Sequence, residues 1–191
     1  MNEPRSLGQR AAFLDHLEAN LGAITPIAES RPAVGDYGYT LLAAHLADPG
    51  VWSVVTDGVR LHRITSLLPE EFSCSLQDDQ SHHARYLVDT TASQAVASGR
   101  GLDYDQVVLS DRPLLAGTDI CGLLASPSPY FGATFDLQRD ADGDPVLQVI
   151  TLIPVTRAEA EFVEAADAEE LYDIWREART NLLNVHRESA L

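Results

Sequence analysis

The sequence has little cysteine, few cations and no long apolar run. Two cysteines among 191 residues, Cys74 and Cys121, stand far apart and lie in no metal or redox spacing. Both read as reduced, partly buried small residues, and a disulfide framework is not expected. Thirteen Lys plus Arg stand against 29 Asp plus Glu, giving a formal net charge of −16 and an isoelectric point near 4.5. A field of that sign repels phosphate backbones and anionic lipids, which argues against nucleic acid and against a membrane surface as partners. No apolar run reaches the roughly 20 residues of a spanning helix. The opening MNEPRSLGQR lacks the apolar core of a signal peptide, so the expectation is a cytoplasmic protein.

The familiar catalytic and ligand motifs are also missing. No GxGxxG follows a strand and no GxxxxGK[ST] occurs, which excludes the common phosphate cradles. Ser126, Ser128, His45, His62 and His186 stand in no nucleophile-elbow context. His82 and His83 are adjacent, so on a helix they point about 100° apart and do not share a metal easily. Asp140, Asp142 and Asp144 have the first three spacings of a calcium loop. Their glycine is misplaced, and Thr151 occupies the closing position, so this stretch reads as a solvated hairpin turn. No catalytic residue, cofactor or metal site is predicted.

What is present is an ordinary apolar fraction of 45% in a chain long enough for one domain with its core over about 7–189. The run VLQVITLI (146–153) is too apolar for a half-exposed strand and reads as one buried on both faces, with Pro154 ending its ladder. Thr156 and Glu159 form a capping-box pattern that opens an acidic helix. Asp167 opens a second, with Leu171, Ile174, Trp175, Ala178 and Leu182 on one face. These helices are expected to roof the strand.

Earlier in the chain, Ser6 is the expected cap of a helix over 7–21 that Gly22 closes. AITPIAES (23–30) reads as an edge strand because of Pro26. RPAVGDYG (31–38) reads as a loop, and 39–47 as extended. VWSVVT (51–56) reads as a strand ended by the turn dipeptide Asp57-Gly58. EEFSCSLQ (70–77) alternates, with Phe72, Cys74 and Leu76 on one side and Ser73 and Ser75 on the other. A helix capped by Asp78 or Asp79 follows to about Ala97, with Tyr86, Val88, Ala92 and Ala95 towards the core. LDYDQVVL (102–109) and GLLAS (122–126) read as strands. ATFDLQ (133–138) and PVLQVITL (145–152) read as a hairpin. One mixed α/β (α+β) domain follows, with a largely antiparallel sheet flanked by helices.

Taken in order, these segments resemble the Suppressor of fused domain family. VWSVVTDGV (51–59) is similar to that family's strand followed by Thr-x-Gly. EEFSCSL (70–76) resembles its next strand, which usually carries a Glu-Leu pair. SPYFGATFD (128–136) falls at its late hairpin. ITLIPVTRAEAEFVEAADAEELYDIW (150–175) resembles its apolar strand, proline and paired helices, and LNVHRES (183–189) its Arg-containing tail. Arg60 departs from the pattern, standing where a small residue is common. The resemblance implies a non-enzymatic protein-binding domain. Bacterial members are often proposed as immunity proteins against a cognate toxin, and animal members hold a transcription factor by clamping a peptide in extended form.

The expectation is therefore an acidic binding protein, monomer or weak dimer, whose partner is a basic toxin or an extended peptide drawn in by charge. Candidate partner-binding residues are Asp57 and Arg60 at the turn, with Glu161, Glu164, Asp167, Glu169, Glu170 and Asp173 on the acidic helices. The competing expectation is a small-molecule sensor or enzyme whose pocket assembles from distant residues.

Overall fold

In the computed structural model, which describes residues 3–29 and 38–191, the chain begins with α1 (Glu3–Leu21). Then come β1 (Ile24–Glu29), β2 (Thr40–Leu46), β3 (Val51–Asp57), β4 (Glu70–Gln77) and α2 (Ser81–Ser98). The second half holds β5 (Val107–Leu109), β6 (Ile120–Ser126), α3 (Ala133–Asp136), β7 (Leu137–Arg139), β8 (Pro145–Thr156), α4 (Arg157–Ala165) and α5 (Ala168–Ala178). The strands form one mixed sheet in the order β1-β2-β3-β4-β8-β6-β5, with β7 on the first residues of β8. Among the described strands β4 and β8 pair in parallel and the other pairings are antiparallel. This is the fold class the sequence predicts.

The central strand β8 is buried from Leu147 to Thr156 because helices cover both faces of the sheet. On one face, Leu87, Val88 and Ala92 of α2 pack on Phe72, Cys74, Leu76, Ile150 and Leu152. On the other, Phe13 and Leu17 of α1 cover Leu42, Val55 and Val149. Leu171 and Trp175 of α5 roof Leu124, Ile153 and Val155, again on that second face. Each large side chain so buried contributes roughly 1.5–3 kcal/mol.

Several expectations need correcting. Pro154 does not end β8: the strand runs two residues further, with Pro154 opposite Leu123, and its carbonyl accepts from Arg187 Nη2 at 3.0 Å. Pairing with β4 stops at Thr151, so the missing amide leaves no gap in that ladder. Helix α1 starts at Glu3, so Ser6 lies inside it and is not its cap. Tyr86 is 51% exposed, and Ala84 and Leu87 take the core positions beside Val88. A short 3₁₀ turn over Asp78–Gln80 precedes α2, and Asp78 turns away to His45 Nε2 at 2.8 Å, so neither aspartate caps the helix. Residues 133–136 form a helical turn before the hairpin strand. Within 102–109 only the last three residues are strand. The loop read over 31–38 lies outside the described residues save for Gly38.

Candidate functional site

The turn after β3 is a polar knot inside the protein. Asp57 is followed by Gly58 at φ 129°, a conformation that favours glycine, and then by a 3₁₀ turn over Val59–Leu61. This is not a hairpin turn. The fully buried Glu71 carboxylate, one strand over, collects the donors that the turn releases. Thr56 Oγ1 donates to it at 2.6 Å, Gly58 N at 2.8 Å and Val59 N at 3.1 Å. Arg60 Nη1 donates a further short bond. Burial pushes the Glu71 carboxyl up, and the Arg60 charge is the chief influence against it. Arg60 also pairs with Asp57 at 2.9 Å, and Asp57 with Arg10 at 2.7 Å. Asp57 and Arg60 are thus interior residues whose charges answer one another and Glu71. The Thr-x-Gly and Glu elements of the sequence are two halves of one structural bond.

A second knot ties the tail to the roof helices. The Thr156 and Glu159 capping box is present as the pattern predicts. The same Glu159 accepts from Trp175 Nε1 at 3.0 Å and from both terminal nitrogens of Arg187, at 2.6 and 2.7 Å. Burial opposes ionisation of Glu159, but the Arg187 hydrogen bonds and charge outweigh it and hold the carboxyl below its usual range.

The other predicted contacts sit elsewhere, on the outer surface of α4 and α5. Glu161, Glu164, Asp167, Glu169, Glu170 and Asp173 are all exposed. Asp167 is occupied as the cap of α5, accepting from Glu170 N at 2.8 Å. Asp173 pairs with Arg176, and Glu161 lies 3.9 Å from Arg157. The structure does not bring these acids together with Asp57 and Arg60.

The feature that sequence reasoning missed is the outer edge of β5. Ala125 N donates to Gln106 O at 2.9 Å, and Ser110 N to Cys121 O at 2.8 Å. Even-numbered residues therefore turn their backbone groups to β6, and Val107 and Leu109 turn theirs outward. β5 ends the sheet, and no described strand pairs on that side. Beside it a groove of about 390 Å³ runs between β5 and α2, lined by Tyr86, Thr90, Gln94, Val108 and Leu114 among others. α4 packs against β5 on the opposite face, and Tyr172 of α5 donates to Asp105 just before it at 2.9 Å. The acidic helices thus border this edge. A larger open cleft of about 760 Å³ lies by Pro127, Tyr130, Trp175 and Arg179.

A mixed sheet with internal carboxylate knots and an open edge defines a class of scaffold, and comparison with known proteins supplies its family. The Suppressor of fused protein (SUFU) family model matches residues 37–188. The chain belongs to the Suppressor of fused family. A crystal structure of a Suppressor of fused homologue from Neisseria gonorrhoeae superposes with a TM-score of 0.73 at 19% identity, over 97% of this chain and 98% of that one. The structure of the Sufu–Fu complex superposes with a TM-score of 0.65 at 13% identity, over 94% of this chain and 91% of that one. Drosophila Suppressor of Fused gives 0.55 at 13% identity, over 80% of this chain and 42% of that one. At these identities the likeness is one of fold. No curated protein sequence matches the chain.

Proposed function

We propose that this protein holds another polypeptide by accepting an extended, basic segment along the outer edge of β5. The observation that carries the reading is the pair of outward-facing residues Val107 and Leu109, whose amides and carbonyls have no described strand beside them. Strand addition uses such groups for affinity and neighbouring grooves for specificity. Asp103, Asp105 and Asp111 flank the edge in sequence, and the net charge of −16 favours a basic segment. The matched family includes a protein solved as the Sufu–Fu complex, which supports protein binding as the mode of action. In its finer form the proposal makes the partner a basic toxin and this chain its cytoplasmic, non-enzymatic immunity protein, and acidity is the support for that. Glu161, Glu164, Asp167, Glu169, Glu170 and Asp173 then act as a steering surface that speeds encounter.

The test uses proline at the outward positions. Because the Val107 and Leu109 amides point away from β6, Val107→Pro with Leu109→Pro removes two outward donors and no ladder bond. A displayed peptide library panned at low salt should return basic, strand-forming peptides. Their affinity should fall at least about tenfold in the double variant, the loss expected when hydrogen-bond donors at a contact are removed. Peptides that bind both proteins equally would refute the edge as the site.

A further inference from the structure

The loop from Val59 to Glu70 borders a small, half-open cavity of about 180 Å³. Its lining mixes apolar walls, Val59, Ile64, Leu67, Leu68 and Pro69, with polar Arg60, His62, Ser66 and Glu70. Two polar groups among its lining residues lack partners. Glu70 is 1% exposed, and its Oε1 has no hydrogen-bond partner among the described residues. The Nε2 of His62 is likewise buried and unpartnered. The carboxylate is thinly served otherwise: Gln148 Nε2 gives Oε2 a long bond at 3.4 Å, and the Leu102 backbone is its other hydrogen-bonding neighbour. Gly101 packs so tightly on this carboxylate that an added Cβ would stand 2.2 Å from Oε1. A glycine there keeps room for the acid.

We infer that this cavity is a binding site for a primary alkylammonium group, held by Glu70 and His62 with its aliphatic stem against the apolar walls. A buried carboxylate with one unpartnered oxygen and an unpartnered imidazole nitrogen, both from residues of the same lining, offer two acceptors, and an ammonium offers three donors and the missing charge. Arg60 also lines the cavity, but its guanidinium is already matched by Glu71 and Asp57. Burial, the largest influence, pushes Glu70 up to about 7, and the Gln148 bond opposes it. Burial also lowers His62, which keeps its ring neutral at neutral pH. A metal ion fits less well: among the described residues no group of three or more His, Cys, Asp or Glu could hold one. The chain itself contains no lysine, all thirteen of its cationic residues being arginine, so a second copy has no lysine to offer. The ammonium must come from another molecule, either a free amine or a partner's lysine. This inference does not depend on the β5 edge.

The experiment titrates butylammonium into the whole protein at pH 8 in an amine-free buffer, with butanol as the uncharged isostere. Glu70→Gln keeps the shape and removes the charge. Butylammonium should bind at about millimolar affinity, as a ligand of that size can, and butanol at least about tenfold more weakly. Glu70→Gln should abolish the difference. In the unaltered protein the affinity should fall about tenfold per pH unit below the Glu70 value of about 7, a readout that stands even if the variant does not fold. An Nα-acetyl-lysine amide arm separates the sources: equal binding points to lysine within a chain, and exclusion to a free amine. Equal binding of butylammonium and butanol, a flat pH series, or no binding of butylammonium would each overturn the inference and leave the cavity to water.

Discussion

Arg187→Ala will destabilise this protein by about 3–5 kcal/mol in urea unfolding at pH 7. The guanidinium is 5% exposed and its partner Glu159 is fully covered. It donates at 2.6 and 2.7 Å to the two carboxylate oxygens, and at 3.0 Å to the carbonyl of Pro154. Removing it leaves an ionised carboxylate with no counter-ion beneath α5, which costs more than the pair contributes when intact. The pH dependence should change sign. In the unaltered protein Glu159 titrates below its unfolded value of 4.5. Its contribution is therefore complete above that value and lost as pH falls through the lower folded value. In Arg187→Ala burial is opposed only by the Thr156 and Trp175 hydrogen bonds, so the carboxyl titrates higher than in the unaltered protein and acidification recovers part of the lost stability. Adding Glu159→Gln to Arg187→Ala should restore part of the loss by removing the stranded charge. An additive double variant would mean that the two groups do not act as a pair.

Glu71→Ala carries the second large effect, also about 3–5 kcal/mol, because it strands several buried donors at once. The amides of Gly58 and Val59 lose their acceptor, and Arg60 keeps Asp57 and the Phe13 ring, whose centre lies 4.6 Å from its guanidinium carbon. Thr56 loses its acceptor but still accepts from Phe72 N at 2.9 Å. Glu71→Gln should cost less, since its amide oxygen still accepts from some of the same donors. The measurement is the denaturation midpoint of both variants beside capture of a selected basic peptide by the folded fraction. Binding should be retained while stability falls, since the knot lies at the end of β3 and the proposed edge is β5. A variant that folds normally and loses the peptide would make Glu71 part of the binding site.

The elements were legible where burial imposes a pattern. The run 146–153 gave a strand buried on both faces from Leu147 on, the alternation at 70–77 put Phe72, Cys74 and Leu76 opposite Ser73 and Ser75 although both faces are buried, and Thr156 with Glu159 gave the capping box. Misreadings came where tertiary surroundings override a local rule. Pro154 is tolerated because pairing with β4 has already ended, and Tyr86 faces out because Leu87 takes the core position. The binding features were the least visible. Nothing in EEFSCSLQ shows that Glu71 will hold the turn fifteen residues earlier at Thr56, or that Glu70 will line a cavity. Nothing near Arg187 shows that Glu159, 28 residues away, is its partner. Such pairs are made by strand order, which one sequence does not print. The openness of β5 is likewise a property of topology: VVL at 107–109 reads as a strand whether or not a neighbour lies beyond it.

The central claim is that the buried carboxylates are internal ties and that the free edge of β5 receives the partner. Hydrogen exchange resolved to single amides tests both halves together. In the free protein, the Gly58 and Val59 amides should exchange only through global unfolding, and those of Val107 and Leu109 should exchange fast. With a selected basic peptide bound, Val107 and Leu109 should become protected and the knots should not change. Protection of Val107 and Leu109 already present in the free protein, or peptide-induced protection that leaves both of them untouched, would contradict the account.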